Sequence, residues 1–477
     1  MRSAPSNPVA RHENVTGHTA ESPPPSTGRR WWVLAVMCAG MFLVLLDVTV
    51  VNVALPAIAS GLHADVPELQ WIVTAYTVTF AALLLAGGTL GDIFGHKHLV
   101  VGGLIIFGVA SLGCGLAPTA GWLIIARAGQ GIGAAGLLSA TLAVITGTFP
   151  ERAEQAKALG VWAGISSLAL PAGPVLGGLL VAGGGWRAVF WINVPIVAAA
   201  LILTIRMVPS LRPQSLRRLD VPGVIVGGIS LAAIVFAVIN AGHEGATAST
   251  LIATGVAIAG IVSFVILESA IADPVLPLTL LKSATFVGAN TIAAAMNFVG
   301  IGTIFILTLY LQDVRHYSAL LCGLSLLPLF IPLAVLSPIT GRLTARVGPL
   351  LPMSLGLALG AVGSLCLLLL TPGSAYPVLL PTLLGLGLGF GMGFLTAAVV
   401  SAAMRSVPAD RAGLASSVNN TARQAAGALG IAVYGAITGN PAHPDAFTSG
   451  IHTLAIIGAA TWTAALILTL IHKRQPG

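Results

Sequence analysis

From Val33 onward the chain alternates between long apolar runs and short polar joints, with almost no stretch of mixed character. The runs last about twenty residues, the length an α-helix needs to cross the hydrocarbon core of a bilayer. Fourteen spans are predicted, near residues 33–55, 71–91, 99–117, 120–147, 158–182, 188–206, 222–241, 251–271, 286–311, 320–340, 348–370, 377–403, 414–438 and 452–471. The fifth and sixth are interrupted by GPVLGG and GGGW, and the thirteenth opens on polar residues. Glycine and proline fit membrane helices, where both are commoner than in soluble ones. The pattern predicts an all-α integral membrane protein with 14 transmembrane helices.

Composition removes the soluble alternative. The 477 residues are 56% hydrophobic and 8% charged, with a mean hydropathy of +0.95, whereas soluble domains carry about 25% charged residues. The basic residues then orient the chain. With both termini in the cytoplasm, eighteen of the 22 Lys and Arg fall in cytoplasmic segments. Arg187 and Arg315 fall outside, and Arg127 and Arg423 lie within spans. Such a split is what the positive-inside rule expects, and dropping one span would reverse every later loop. The protein is therefore expected to be multi-pass in the cytoplasmic membrane. Its net charge of +7 faces anionic lipid and requires no nucleic acid.

Residues 1–30, rich in Pro, Ser and Ala, read as a disordered cytoplasmic tail. Ala57-x-Ala59 has the form of a signal-peptidase site, but the span before it is too long for a signal peptide and contains Asp47. Cys38, Cys114, Cys322 and Cys366 lie in different spans, with no metal spacing or disulfide framework, and read as packing residues.

RAGQGIGAAG, Arg127 to Gly136, contains a G-x-G-x-x-G pattern. A dinucleotide turn needs a preceding strand and an acidic residue about twenty positions on. Here the glycines lie inside the fourth span, so Gly129-x-x-x-Gly133 and Gly131-x-x-x-Ala135 read as small-residue spacings for close helix packing. Arg127 is costly in hydrocarbon and calls for a partner or a pathway. At 1.5 Å per residue, Asp47 lies roughly 24 Å from the cytoplasmic end of the first span and Arg127 roughly 9 Å below the outer face. In a core about 30 Å thick these depths agree. The two are the only clearly mid-span opposite charges, so each is the other's expected partner, either as a static pair or as a proton-coupling pair.

The motifs together resemble the fourteen-span drug/proton antiporters of the major facilitator superfamily, over nearly the whole chain. Leu46–Pro56 (LDVTVVNVALP) is similar to the family's first-helix motif. The joint after the second span, GTLGDIFGHK (Gly88–Lys97), matches the superfamily signature, and the fourth-span motif is R-x-x-Q-G-x-G, with Arg127, Gln130, Gly131 and Gly133. GPVLGG, with Gly173, Pro174, Gly177 and Gly178, matches the antiporter motif. In the second half Tyr310–Pro328, GRLTARVG (Gly341–Gly348) and Ala412–Val433 are also similar to family members. Ile93, His96, Ala169 and His316 depart from the usual pattern.

The resemblance implies an N-terminal six-helix bundle over 31–206, a basic linker at 207–220 and an inserted helix pair at 221–272. A cytoplasmic loop at 273–285 and a C-terminal bundle at 286–477 complete it. It implies a gate formed by Gly88, Asp92, Gly95 and Lys97, in which Asp92 faces the start of the thirteenth span near Gly413. Such a carboxylate at a helix N-terminus contributes on the order of 0.3–2 kcal/mol. The implied function is proton-coupled export of hydrophobic drugs or antibiotics by a monomer, without cofactor or enzymatic activity. The alternative is a carrier for an amino acid, peptide or siderophore. Asn52, Asn297, Asn419, Asn420, Arg423 and Gln424 are candidates for lining the substrate cavity or for bonding between helices. No P-loop is present for direct use of ATP.

Overall fold

A computed structural model describes residues 27–209, 219–271, 273–380, 382–383, 388–408 and 411–472. Most of the expected tail and of the 207–220 linker lies outside these residues. Fifteen α-helices follow in order: α1 (Thr27–Leu62), α2 (Val66–Phe94), α3 (His96–Gly115), α4 (Ala120–Thr148), α5 (Arg152–Gly184), α6 (Ala188–Trp191), α7 (Asn193–Met207), α8 (Val221–Glu244), α9 (Ala248–Ala270), α10 (Ala284–Leu309), α11 (Ala319–Val347), α12 (Leu350–Leu365), α13 (Leu388–Arg405), α14 (Ala412–Thr438) and α15 (Pro444–His472). Thirteen helical segments among the described residues are long and apolar enough to cross a membrane, with α6 and α7 forming one of them. The remaining long helix, α14, begins with SSVNNTARQ in its first half and is too polar to join that set.

The helices start and stop where local chemistry dictates. Asp65 and Glu68 form a reciprocal capping box at the start of α2, which satisfies amide groups a helix start leaves unbonded. Ser283 and Ser318 cap α10 and α11. Gly95 and Gly348 end α2 and α11 with φ of +88° and +80°, a conformation open to glycine and strained for other residues. Both signature stretches are therefore mostly helical rather than loops. Gly88–Phe94 form the last turns of α2, and Gly341–Val347 those of α11. The expected break in the fifth span is absent. α5 runs through Pro171 and Pro174 for 33 residues.

α1 begins at Thr27, inside the segment expected to be tail, and Arg29 and Arg30 are bonded to the bundle. Arg29 donates to the carbonyls of Met207 and Arg206, and Arg30 pairs with Glu154 at 3.1 Å.

α1 to α7 pack together, as do α10 to α15, and the two groups meet along two seams. One is α5 against α11. The other is α2 against α14, where Gln70 Nε2 donates to the carbonyls of Ile431 and Ala432 at 2.9 Å. α8 lies over this second seam, with Val235 and Ile239 packed among Val78, Ala428 and Ala432. α9 packs on α8 and turns Leu251, Ile252, Ile258 and Ile266 outward.

Candidate functional site

The buried polar centre lies inside the first bundle. α1 presents Asp47 and α4 presents Arg127, exposed by 2% and 1%. Arg127 Nη1 donates to Asp47 Oδ2, and also to Gln130 Oε1 at 2.8 Å. Its Nε donates to the carbonyl of Ile72 at 3.0 Å, and its guanidinium lies 4.5 Å from the Tyr76 ring centroid. Gln130 Nε2 reaches Asp47 Oδ1 at 3.4 Å and Ser111 Oγ at 2.8 Å, and Asn193 Nδ2 donates to the same hydroxyl at 3.5 Å. The network links α1, α2, α3, α4 and α7. A buried guanidinium is costly unless its donors are satisfied, and here a carboxylate, an amide, a carbonyl and a ring face surround it.

Sequence reading placed Asp47, Arg127 and Gln130 in spans but missed Ser111, Asn193 and Tyr76. The available signal was that Ser111 and Asn193 are polar residues within predicted spans.

The glycines of the fourth-span motif allow this assembly. A Cβ on Gly131 would overlap Thr79 and the carbonyl of Tyr76. On Gly133 it would stand 2.6 Å from the Phe107 backbone nitrogen and 2.7 Å from the Gly103 carbonyl. Close helix approach at small residues is the rule in membranes.

The GPVLGG stretch of α5 serves two neighbours at once. Gly173 lies on the Leu46–Thr49 turn of α1, next to Asp47, and Gly177 lies on Val50. A Cβ on Gly178 would come within 2.5 Å of Leu320 at the start of α11, and Gly323 abuts the carbonyl of Pro174. This end of the molecule is further closed by Gln312 Nε2, which donates to the carbonyl of Val53 at 3.0 Å.

At the opposite end the bundles part around a cavity of about 930 Å³. Gly88, Asp92 and His96 line it from the first bundle, and Arg411, Gly413 and Asn420 from the second. Asp92 pairs with His96 at 3.6 Å, so the contact between Asp92 and the start of α14 that the resemblance implies is not made here: the cavity stands open where it would form. Gly91 leaves the space His96 occupies, since a Cβ there would overlap the imidazole. Lys97 turns away from the cavity and donates to the carbonyl of Ile205 at 2.9 Å, a favourable site for a cation at the C-terminal end of α7.

Of the candidate lining residues, Asn420 faces the cavity. Asn419 Nδ2 donates to Asn290 Oδ1 at 3.2 Å, and Arg423 Nε donates to Asn297 Oδ1 at 3.3 Å, so these four tie α14 to α10. Asn52 donates to its own helix at the Val48 carbonyl. Gln424 is half-buried on α14 and, like Asn52, does not line this cavity.

Comparison with known proteins adds an independent line. Residues 37–431 match the family model described as Major Facilitator Superfamily. The chain is 35% identical to the multidrug resistance protein Stp of Mycobacterium tuberculosis over 399 residues, covering 83% of this chain and 74% of that protein. It is 36% identical to the puromycin resistance protein of Streptomyces alboniger, covering 94% and 92%. It is 33% identical to the tetracenomycin C resistance and export protein of Streptomyces glaucescens, covering 86% and 76%. Among solved structures, a bacterial homologue of the human lysosomal transporter Spinster superposes with a TM-score of 0.68 at 18% identity, covering 94% of this chain and 98% of that one.

Proposed function

The chain belongs to the Major Facilitator Superfamily, and we propose that it is a fourteen-span, proton-driven exporter of hydrophobic antibiotics or drugs in the cytoplasmic membrane. Relatives named for multidrug, puromycin and tetracenomycin C resistance support the substrate class. In this reading α14 supplies the fourteenth span, α8 and α9 are the inserted pair, and both termini are cytoplasmic.

The observation that carries the coupling mechanism is the buried contact between Asp47 and Arg127. Removal from water favours a neutral carboxyl, and an adjacent guanidinium favours the carboxylate. In this reading Asp47 takes up a proton as its contact with Arg127 loosens, while Gln130 and the Ile72 carbonyl, which already accept from Arg127, keep the guanidinium in place. On the same reading the open cavity faces the cytoplasm, and pairing of Asp47 with Arg127 there accompanies release of the proton. With the outer side open, a proton neutralises Asp47 and frees the Leu46–Thr49 turn of α1. Gly173 rests on that turn, and Pro174 and Gly178 rest on α11, so the same short stretch of α5 connects the proton site to the outer closure. Alternating access is then a rocking of the bundles about the α2–α14 and α5–α11 seams.

A panel of dyes, biocides and antibiotics tests the substrate class, comparing cells with and without the protein. Raised resistance to several unrelated hydrophobic compounds is expected. Unchanged susceptibility across the panel, with altered uptake or release of a metabolite, would overturn it.

A further inference from the structure

Two acidic residues near the ends of α8 and α9 take no part in this mechanism. Asp220 caps α8, its Oδ1 accepting from the Gly223 amide at 2.8 Å. Glu268, near the end of α9, accepts from the Leu276 amide through Oε2 at 2.9 Å. The side chains lie in residues only 5% and 3% exposed. Each acid thus spends one oxygen on a backbone amide, while the other oxygen, Asp220 Oδ2 or Glu268 Oε1, is buried without a hydrogen-bond partner. Both of these oxygens lie within 2.8 Å of the point a Cβ on Gly223 would occupy. Glycine at 223 lets the two carboxyls share that space.

Two carboxylates facing each other away from water repel strongly, and a buried acceptor with no donor is costly. One proton resolves both problems, since a carboxylic acid supplies the O–H donor its neighbour lacks. We propose that Asp220 and Glu268 form a proton-binding site, distinct from Asp47, in which one carboxyl O–H donates to the opposite carboxylate.

The placement gives this site a consequence. Glu268 holds Leu276, and the segment around it, including Ile271, Asp273, Val275 and Leu278, forms a wall of the open cavity. The same segment leads from α9 into α10. Release of the proton to cavity water leaves two like charges, drives the carboxyls apart and loosens that wall. The other charged groups on the cavity are Asp92, His96, Asp273, Lys282 and Arg411. Lys282, Arg411 and a protonated His96 favour release, while Asp92 and Asp273 favour retention. None of the ion pairs among the described residues joins either acid to these cations.

The test uses the purified full chain in lipid nanodiscs without substrate, so its outcome is independent of the export reading. Infrared titration follows the carbonyl stretch of protonated carboxyls, and cleavage at the exposed Lys282 by a lysine-specific protease follows the wall. The parent is expected to show a carboxyl band that disappears as pH rises, with cleavage at Lys282 increasing over the same range relative to other lysines. Glu268→Gln is expected to lose the band and to keep cleavage low at every pH, because the amide donates as the acid does. Asp220→Asn should also lose the band, and supplies the reading if Glu268→Gln does not fold. A band of parental amplitude in a folded variant, or parental pH dependence of cleavage in Glu268→Gln, would overturn the site.

Discussion

Gly323 of α11 abuts the main-chain carbonyl of Pro174 on α5, closely enough that a Cβ on Gly323 would overlap it. The contact joins the two bundles at the end opposite the cavity. Filling it opposes closure of the outer side. Gly323→Val should disfavour the cytoplasm-open state by roughly 1–3 kcal/mol, about a 5- to 150-fold shift in the balance of states. Cysteines placed at Ser417, on the cavity wall, should react more slowly with reagents added from the cytoplasmic side. Parental labelling rates would show that this contact does not govern closure.

Asp47→Asn is expected to leave abundance near parental, because Arg127 keeps Gln130, the Ile72 carbonyl and the Tyr76 ring. Arg127→Ala leaves a buried carboxylate with only the Gln130 contact at 3.4 Å, and should cost about 3–5 kcal/mol and lower abundance. At matched protein levels in inverted vesicles, substrate-induced proton release should vanish in Asp47→Asn. Exchange at the parental rate would remove Asp47 from the coupling step.

Asp92→Asn should lower export without lowering expression. In the present state the carboxylate pairs with His96 across its own helix end, so its contribution to the gate arises when the cavity closes and the start of α14 approaches. A helix N-terminus offers on the order of 0.3–2 kcal/mol to such a group. Unchanged export at matched abundance would show that Asp92 serves only its pairing with His96.

Gly133→Ala and Gly136→Ala should differ in cost, although both belong to one G-x-G-x-x-G pattern. The first places a methyl 2.6 Å from a backbone nitrogen, while the second meets Leu99 at 3.4 Å. A cost of about 1–3 kcal/mol is expected at Gly133, and about 0.5 kcal/mol or less at Gly136. Thermal unfolding in detergent distinguishes them. Equal losses would point away from helix packing as the role of the pattern.

The membrane character and the pairing of Asp47 with Arg127 were legible because both depend on translation along the chain: run length and depth follow from rise per residue. Rotation about each helix axis was not legible, since helices apolar all round carry little periodic signal. That is why the sequence left Asn297 and Asn419 open between lining a cavity and bonding between helices, the second being what links α10 to α14, and why it did not place Lys97 against α7. The Asp220–Glu268 encounter joins the start of α8 to the end of α9 across Gly223, a meeting of two helices that no local pattern marks.

The helix least suited to hydrocarbon, α14, is held between α2, α8 and α10 rather than against lipid. Polar residues such as Asn419, Asn420 and Arg423 are each costly at the centre of a lone inserting segment. During synthesis this segment emerges after α2, α8 and α10 have been made, so its docking surface exists before it arrives. Biogenesis of the second half thus depends on the first. A fragment beginning after α9 would present α14 to the insertion machinery without α2 and α8, and the fate of that fragment would be a matter for membrane quality control rather than for transport.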